Sequence, residues 1–164
     1  MTTIYLSLGS NIGNRKNNLR KALIELNMNN IKEIKISSLY ETEPVGPKQR
    51  NFYNIAGKFK TTLQPQELLK KIKQIEEYLG RTKTYRWGPR VIDIDILFYG
   101  KQIIKNKNLI IPHKEITNRA FVLVPMNEIA PNFIHPVYNK IIKTLNNNIQ
   151  NIQKDIHIKY IEKI

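Results

Sequence analysis

The sequence contains no cysteine, and its longest apolar run, from Ala120 to Met126, spans only seven residues even when Pro125 is counted. Disulfide bonds are therefore excluded, and the run is far shorter than the roughly 20 residues that cross a bilayer. The amino terminus, MTTIYLSLGS, also lacks the basic start and the longer apolar stretch of a signal peptide. We therefore expect a cytoplasmic protein with no membrane partner.

Acidic residues are scarce: 13 Asp and Glu stand against 27 Lys and Arg, so the 164-residue chain carries a formal charge of +14. Such a charge allows nucleic-acid binding, because clustered cations neutralise phosphates. Codon bias is the simpler explanation, since Ile, Asn and Lys, which AT-rich codons encode, make up 66 residues. With 41% hydrophobic residues the chain can bury one core, and we expect residues 1–164 to form a single domain.

Hydrophobic periodicity predicts six elements in the order strand, helix, strand, strand, helix, strand. Asn14 is the predicted N-cap of the first helix, and Gly80 ends the second. The predicted strands cover 4–9, 34–40, 52–61 and 91–99, and the predicted helices run from 15 to about 29 and from 65 to about 79. This order predicts an α+β fold, a ferredoxin-like βαββαβ sandwich whose antiparallel sheet carries helices on one face.

The remaining chain is expected to elaborate this core at its C-terminal side. Short strands are predicted near 102–104 and 109–111, a helix after Thr117, and another near 140–148. The stretch 156–164 alternates in part and is predicted to add an edge strand.

Two aspartates lie two positions apart in the last of the six core elements, in the segment VIDIDILFY. Asp93 and Asp95 therefore point to one face of the strand, while Ile92, Ile94 and Ile96 point to the other. Two carboxylates this close repel unless a cation lies between them, and Mg²⁺ prefers a few carboxylates together with phosphate oxygens and water. The pair favours a nucleotide–metal site, although solvated acidic pairs are also common on exposed strands.

Cations are concentrated in the loop before this strand. Arg81, Lys83, Arg86 and Arg90 lie within ten residues, around the single tryptophan of the chain, Trp87. Arginine presents a planar fork that suits phosphate oxygens. Cations and carboxylates in one continuous segment favour phosphoryl-type transfer, and the absence of a G-x-x-x-x-G-K-[ST] pattern excludes a Walker-type kinase.

Three further residues each allow two interpretations. His113, beside Arg119, is either structural or a source of positive charge near phosphates. Phe52 and Phe121 are either core residues or aromatic plates that sandwich a flat heterocycle.

Four motifs together resemble one enzyme family: RWGPR at 86–90, DIDIL at 93–97, GSN at 9–11 and PH…NR at 112–119. In this combination they are similar to the 6-hydroxymethyl-7,8-dihydropterin pyrophosphokinases, and the resemblance runs from Ile4 to about Pro131. It implies an enzyme of folate biosynthesis that transfers pyrophosphate from ATP to the pterin hydroxymethyl group. AMP would be the second product, and two Mg²⁺ ions the cofactors. The chain beyond Pro131 matches poorly, and its role stays open.

The resemblance also implies roles for individual residues. Asp93 and Asp95 would hold both metal ions, and with Arg81 and Arg90 they would form the catalytic group. The residues implied in ATP binding are Glu76, Arg81, Lys83, Arg86, Trp87, Arg90, Ile96, His113 and Arg119. The residues implied in pterin binding are Thr42, Val45, Phe52, Asn54, Trp87, Asp93 and Phe121. Segments 10–14, 44–51 and 81–89 match mobile loops that close over the site.

Lys83 stands where the family often carries arginine, so its hold on phosphate is expected to be weaker. Two other functions remain open: a nucleic-acid-binding α+β module, and a nucleotide-binding regulatory domain without transfer activity. The carboxylate pair argues against the first, because it would repel a phosphate backbone, and a pterin-binding test would exclude the second. We expect a monomer that acts on small-molecule substrates and binds no nucleic acid.

Overall fold

The computed structural model describes residues 1–153 and 156–164. Its strands are β1 (Thr2–Ser10), β2 (Ile31–Ile36), β3 (Leu39–Thr42), β4 (Phe52–Thr61), β5 (Asp93–Tyr99), β6 (Ile104–Lys105), β7 (Ile110–Ile111) and β8 (Ile158–Glu162). Its α-helices are α1 (Arg15–Met28), α2 (Pro65–Tyr78), α3 (Ala120–Ile129) and α4 (Ile142–Ile152). The predicted first and second helices are confirmed, and Asn14 caps α1 by accepting from the Asn17 backbone N–H at 3.0 Å.

Six strands form one antiparallel sheet in the order β5-β1-β4-β3-β8, with β2 paired to β4 beside β3. This confirms the predicted mixed fold with an antiparallel sheet. β8 pairs with β3 at the sheet edge, so the edge strand expected within 156–164 is also confirmed. β6 and β7 form a separate two-stranded ribbon near the predicted short strands.

The single strand predicted over 34–40 is wrong, because the chain breaks there into β2 and β3. At the break the Ser37 hydroxyl accepts from the Ala56 backbone N–H at 2.9 Å, and the Glu128 carboxylate accepts from the Ser38 backbone N–H at 2.6 Å. The Ser37 N–H still donates to the Ala56 carbonyl at 2.9 Å, but side chains accept the hydrogen bonds of the Ala56 and Ser38 N–H groups. Sequence alternation continues through the break and therefore concealed it.

The sheet carries helices on both faces, whereas one face was predicted. α1 and α2 cover the first face, where Leu19 and Ile72 are buried with Leu6 of β1. α3 and α4 cover the second face, where Leu123 is buried with Phe98 of β5. The described helices include none with the length and hydropathy of a bilayer span.

As far as Ile96, β5 points alternate side chains to the two faces, as predicted; an irregularity after Ile96 then places both Leu97 and Phe98 on the second face. Ile94 and Ile96 are buried in the core under α1 and α2. Asp93 and Asp95 lie on the second face and keep about a third of their side-chain surface exposed, 36% and 33%. α3 begins at Ala120, next to the two aspartates, and runs from there towards the Ser38 break. The end of the sheet that holds both aspartates is therefore open to a cavity.

Candidate active site

The strand register brings the two carboxylates opposite small residues of β1. Asp93 pairs with Gly9 and Asp95 pairs with Ser7, which leaves space above the sheet for a ligand. Burial and the charge of Asp95 raise the pKa of Asp93, against the opposing effect of the Arg81 guanidinium 3.1 Å away. Burial likewise raises the pKa of Asp95 above its usual range. A cation bound to this pair would offset the repulsion by which the charge of Asp95 adds to the raised pKa of Asp93.

A cavity of about 230 Å³ opens on one side of the carboxylates. All of the residues predicted to bind the pterin line it together: Thr42, Val45, Phe52, Asn54, Trp87, Asp93 and Phe121. The structure therefore brings this predicted set into one place. We call it the pterin-side cavity.

Asn54 provides the polar edge of the pterin-side cavity. It is buried on β4, and its Nδ2 donates to the Thr42 hydroxyl of β3 at 2.6 Å. Gly9 of β1 lies directly across from it, and a Cβ added at Gly9 would come within 2.5 Å of the Asn54 Oδ1. The Asn54 amide can therefore occupy this position only because residue 9 has no side chain. Its Oδ1 is available as an acceptor.

A second cavity, of about 310 Å³, lies on the other side of the carboxylates. Of the residues predicted to bind ATP, it is lined by Glu76, Arg81, Ile96 and His113, and we call it the nucleotide-side cavity. Asp93, Asp95 and His113 line both cavities, so they form a shared wall.

The other predicted ATP residues lie elsewhere. Arg86, Trp87, Arg90 and Arg119 line the pterin-side cavity, with the Arg119 Nη1 3.7 Å from the Asp95 carboxylate. Lys83 lines neither of these two cavities; it is exposed and lines a third cavity, of about 360 Å³, together with Arg81 and Arg90. The structure thus divides the predicted cations between cavities, with Arg86, Arg90 and Arg119 in the pterin-side cavity and Lys83 beside Arg81 and Arg90 in the third.

Glu76 is buried on α2 beneath Arg81. Its Oε2 accepts from the Ile94 backbone N–H at 2.9 Å and pairs with the Arg81 guanidinium. Burial raises the pKa of Glu76 to about 7, although Ile94 and Arg81 both favour the charged form. Glu76 and Asp93 therefore hold Arg81 between them at the entrance to the nucleotide-side cavity.

His113 does not supply the positive charge considered for it from the sequence. Burial and Arg119 lower its pKa to about 4, so the imidazole is neutral near neutral pH. Its Nδ1 accepts from the Glu115 backbone N–H at 3.1 Å, which leaves the proton on Nε2, 3.9 Å from Asp95. His113 therefore offers the shared wall an N–H donor.

The three segments predicted to be mobile loops meet at Asn11, which is almost fully buried. Its Nδ2 donates to the Gln49 Oε1 at 2.8 Å and to the Arg50 carbonyl at 2.9 Å. Its Oδ1 accepts from the Arg90 backbone N–H at 2.8 Å. Gln49 in turn donates to the Trp87 carbonyl at 2.6 Å, so all three loops are docked on one another.

The model of the 7,8-dihydro-6-hydroxymethylpterin-pyrophosphokinase (HPPK) family matches residues 5–131 of the chain. The chain belongs to this family. It is therefore a pyrophosphokinase of folate synthesis, which transfers pyrophosphate to hydroxymethyldihydropterin. The match agrees with the span of the resemblance found from the motifs.

Two pyrophosphokinases illustrate the similarity. The chain is 48% identical over 145 residues to 2-amino-4-hydroxy-6-hydroxymethyldihydropteridine pyrophosphokinase of Aquifex aeolicus, covering 87% of this chain and 89% of the relative. It is 47% identical over 128 residues to the enzyme of that name from Bacillus subtilis, covering 77% of each. The Plasmodium falciparum HPPK-DHPS wild-type crystal structure shares the fold, with a TM-score of 0.74 and 20% identity. The comparison covers 94% of this chain but 46% of that longer chain.

Sequence reasoning missed several residues of this HPPK site. Lys73 and Lys107 line the nucleotide-side cavity and Gln49 holds Trp87. Lys73 was detectable, because it precedes Glu76 by three residues on α2 and so shares its helix face. Lys107 and Gln49 lie in loops, where no periodic pattern marks the direction of a side chain.

Proposed function

We propose that the pterin-side cavity binds 6-hydroxymethyl-7,8-dihydropterin and that the nucleotide-side cavity binds ATP. Pyrophosphate then passes between them across Asp93 and Asp95. One observation carries this proposal: the two carboxylates and His113 line both cavities, so a group bound there reaches both substrates. In this step the pterin hydroxyl oxygen bonds to the β-phosphorus, the bond from that phosphorus to the α-phosphate oxygen breaks, and AMP leaves.

The donor set at the shared wall fits Mg²⁺. It has two carboxylates on one face and, among the described residues, no cluster of three metal-ligating side chains, so phosphate oxygens and water would complete the coordination. We propose that Asp93 and Asp95 hold two Mg²⁺ ions, which when bound neutralise phosphate charge and make the pterin hydroxyl more acidic.

The arginines of the chain would hold the phosphates in line. Arg90 and Arg119 reach the two aspartates from the pterin-side cavity, with Arg119 3.7 Å from the Asp95 carboxylate. Arg81 is oriented by Glu76 and Asp93. Each presents a fork that matches two phosphate oxygens, and water-excluded positions strengthen such contacts. Arg81 and Arg90 with the two aspartates form the proposed catalytic group, whereas Lys83, Arg86 and Ile96 are assigned to ATP at its periphery.

The pterin would lie between Phe52 and Phe121. The Asn54 Oδ1 would accept from its ring N–H groups, and the backbone of Thr42 and Val45 would meet the rest of its polar edge. Trp87 would close over the ring, which excludes water as a competing nucleophile.

We further propose that this chain is a single domain that works in the cytoplasm as a monomer, on small-molecule substrates alone. The carboxylate pair beside the cavities supports the absence of a nucleic-acid partner, because it would repel a phosphate backbone.

The test is a product assay with the purified protein, Mg²⁺, ATP and 6-hydroxymethyl-7,8-dihydropterin, followed by ion-exchange chromatography. We expect AMP and pterin diphosphate in equal amounts, no turnover with a chelator, and recovery when Mg²⁺ is restored. The matched control is Asp95→Asn, which keeps the size of the side chain but removes its charge. ADP as product, or ATP binding without turnover, would contradict the proposal.

A further inference from the structure

Loop 44–51 and loop 81–89 touch at Gly46 and Trp87. Trp87 has a positive φ of 61°, which is rare for a bulky side chain, and Gly46 has a φ of 87°. A Cβ added at Gly46 would lie 3.1 Å from the Trp87 Cβ and 3.2 Å from its Cε3. The indole therefore packs directly on the Gly46 backbone.

A strained backbone conformation persists only where its surroundings hold it. Two contacts from loop 44–51 hold Trp87: the packing of its side chain on Gly46, and the hydrogen bond from Gln49 to its carbonyl at 2.6 Å. Trp87 and Val45, the neighbour of Gly46, both line the pterin-side cavity. The position of Trp87 at this cavity thus depends on the surface that Gly46 offers.

We infer that Gly46 is a positioning residue of the transfer reaction, because its missing side chain forms the seat on which Trp87 closes the pterin-side cavity. A Cβ at position 46 would displace the indole from this surface by a few tenths of an ångström. The effect on turnover rests on the proposed function, whereas the packing of Trp87 can be measured without substrate.

The test compares Gly46→Ala with Gly100→Ala. Gly100, in the turn after β5, also has a positive φ of 53°, but a Cβ there would only reach an ordinary contact of 3.4 Å with Thr2. Both variants place an alanine at a positive φ, and only Gly46→Ala meets Trp87. Trp87 is the only tryptophan of the chain, so acrylamide quenching of its fluorescence reports its packing directly.

We expect Gly46→Ala to raise the quenching constant of the substrate-free protein and to lower kcat/KM for the pterin about tenfold, because small misplacements near reacting groups cost up to a hundredfold. Gly100→Ala should change neither. If Gly46→Ala unfolds, Gly46→Asn replaces it, since asparagine tolerates positive φ but still carries a Cβ. Quenching equal to that of the parent would overturn the inference whatever happens to turnover. If Gly46→Ala raises the quenching constant but the parent protein itself shows no transfer to the pterin, only the proposed function is contradicted.

Discussion

Glu76 should make the stability of the protein depend on pH in a way that one substitution removes. Its pKa rises from 4.5 to about 7 on folding, because the carboxylate is buried. Between these values the folded chain binds more protons at Glu76 than the unfolded chain, so the free energy of unfolding falls as pH rises. For a rise of this size the loss from about pH 5 to pH 8 is about 2.5 kcal/mol.

The perturbation is Glu76→Gln, which keeps the size of the side chain and an acceptor for the Ile94 N–H. Urea unfolding followed by circular dichroism across this pH range should show the parent losing about 2.5 kcal/mol more than the variant. Asp93 and Asp95 are present in both proteins, so the difference isolates Glu76. Glu77→Gln, on the exposed side of α2, is the surface control and should shift stability by less than about 0.5 kcal/mol. Parallel pH profiles for parent and Glu76→Gln would refute the reasoning.

Three other substitutions test the site. Asp95→Ala removes a proposed metal ligand, so turnover measured by chromatography should fall about a thousandfold. It also removes the charge that repels Asp93, so Tm should hold or rise. Parent-like turnover would contradict the metal assignment. Asn11→Ala removes the hydrogen bonds that hold the three loops together, so initial rates should show a higher KM for both substrates. A higher KM for only one substrate would argue against a common role of Asn11 in the three loops. Gly9→Ala displaces the Asn54 amide, so fluorescence titration should show pterin affinity falling about tenfold with ATP affinity unchanged; equal losses would contradict the separation of the cavities.

The strands β1, β4 and β5 and the carboxylate pair follow from periodicity alone. The chain alternates from Ile92 to Ile96, which is enough to place Asp93 and Asp95 on one face of β5. α2 presents a regular apolar stripe, and its capping residues at Gln64 and Glu67 fix where it starts. These features are local, so a single segment contains the information.

The second helical layer and the loop contacts could not be predicted in the same way. α3 is apolar nearly all round, so its sequence does not indicate which side of the sheet it covers. The contacts of Asn11 with Gln49 and of Gln49 with Trp87 each join residues 38 positions apart. Such pairings depend on how the finished fold brings loops together, and no short pattern encodes them.

The pairing of β3 with β8 has a consequence for biosynthesis. Thr42, which carries one wall of the pterin-side cavity, pairs with Ile158, a residue made much later. At about 5 to 20 residues per second, the ribosome needs about 6 to 23 s to cover the interval, and the outer edge of β3 stays unpaired meanwhile. Unpaired edges are sites of aggregation, so this nascent chain should depend on protection there. β3 therefore gains its outer partner only after the residues that line both cavities have been made.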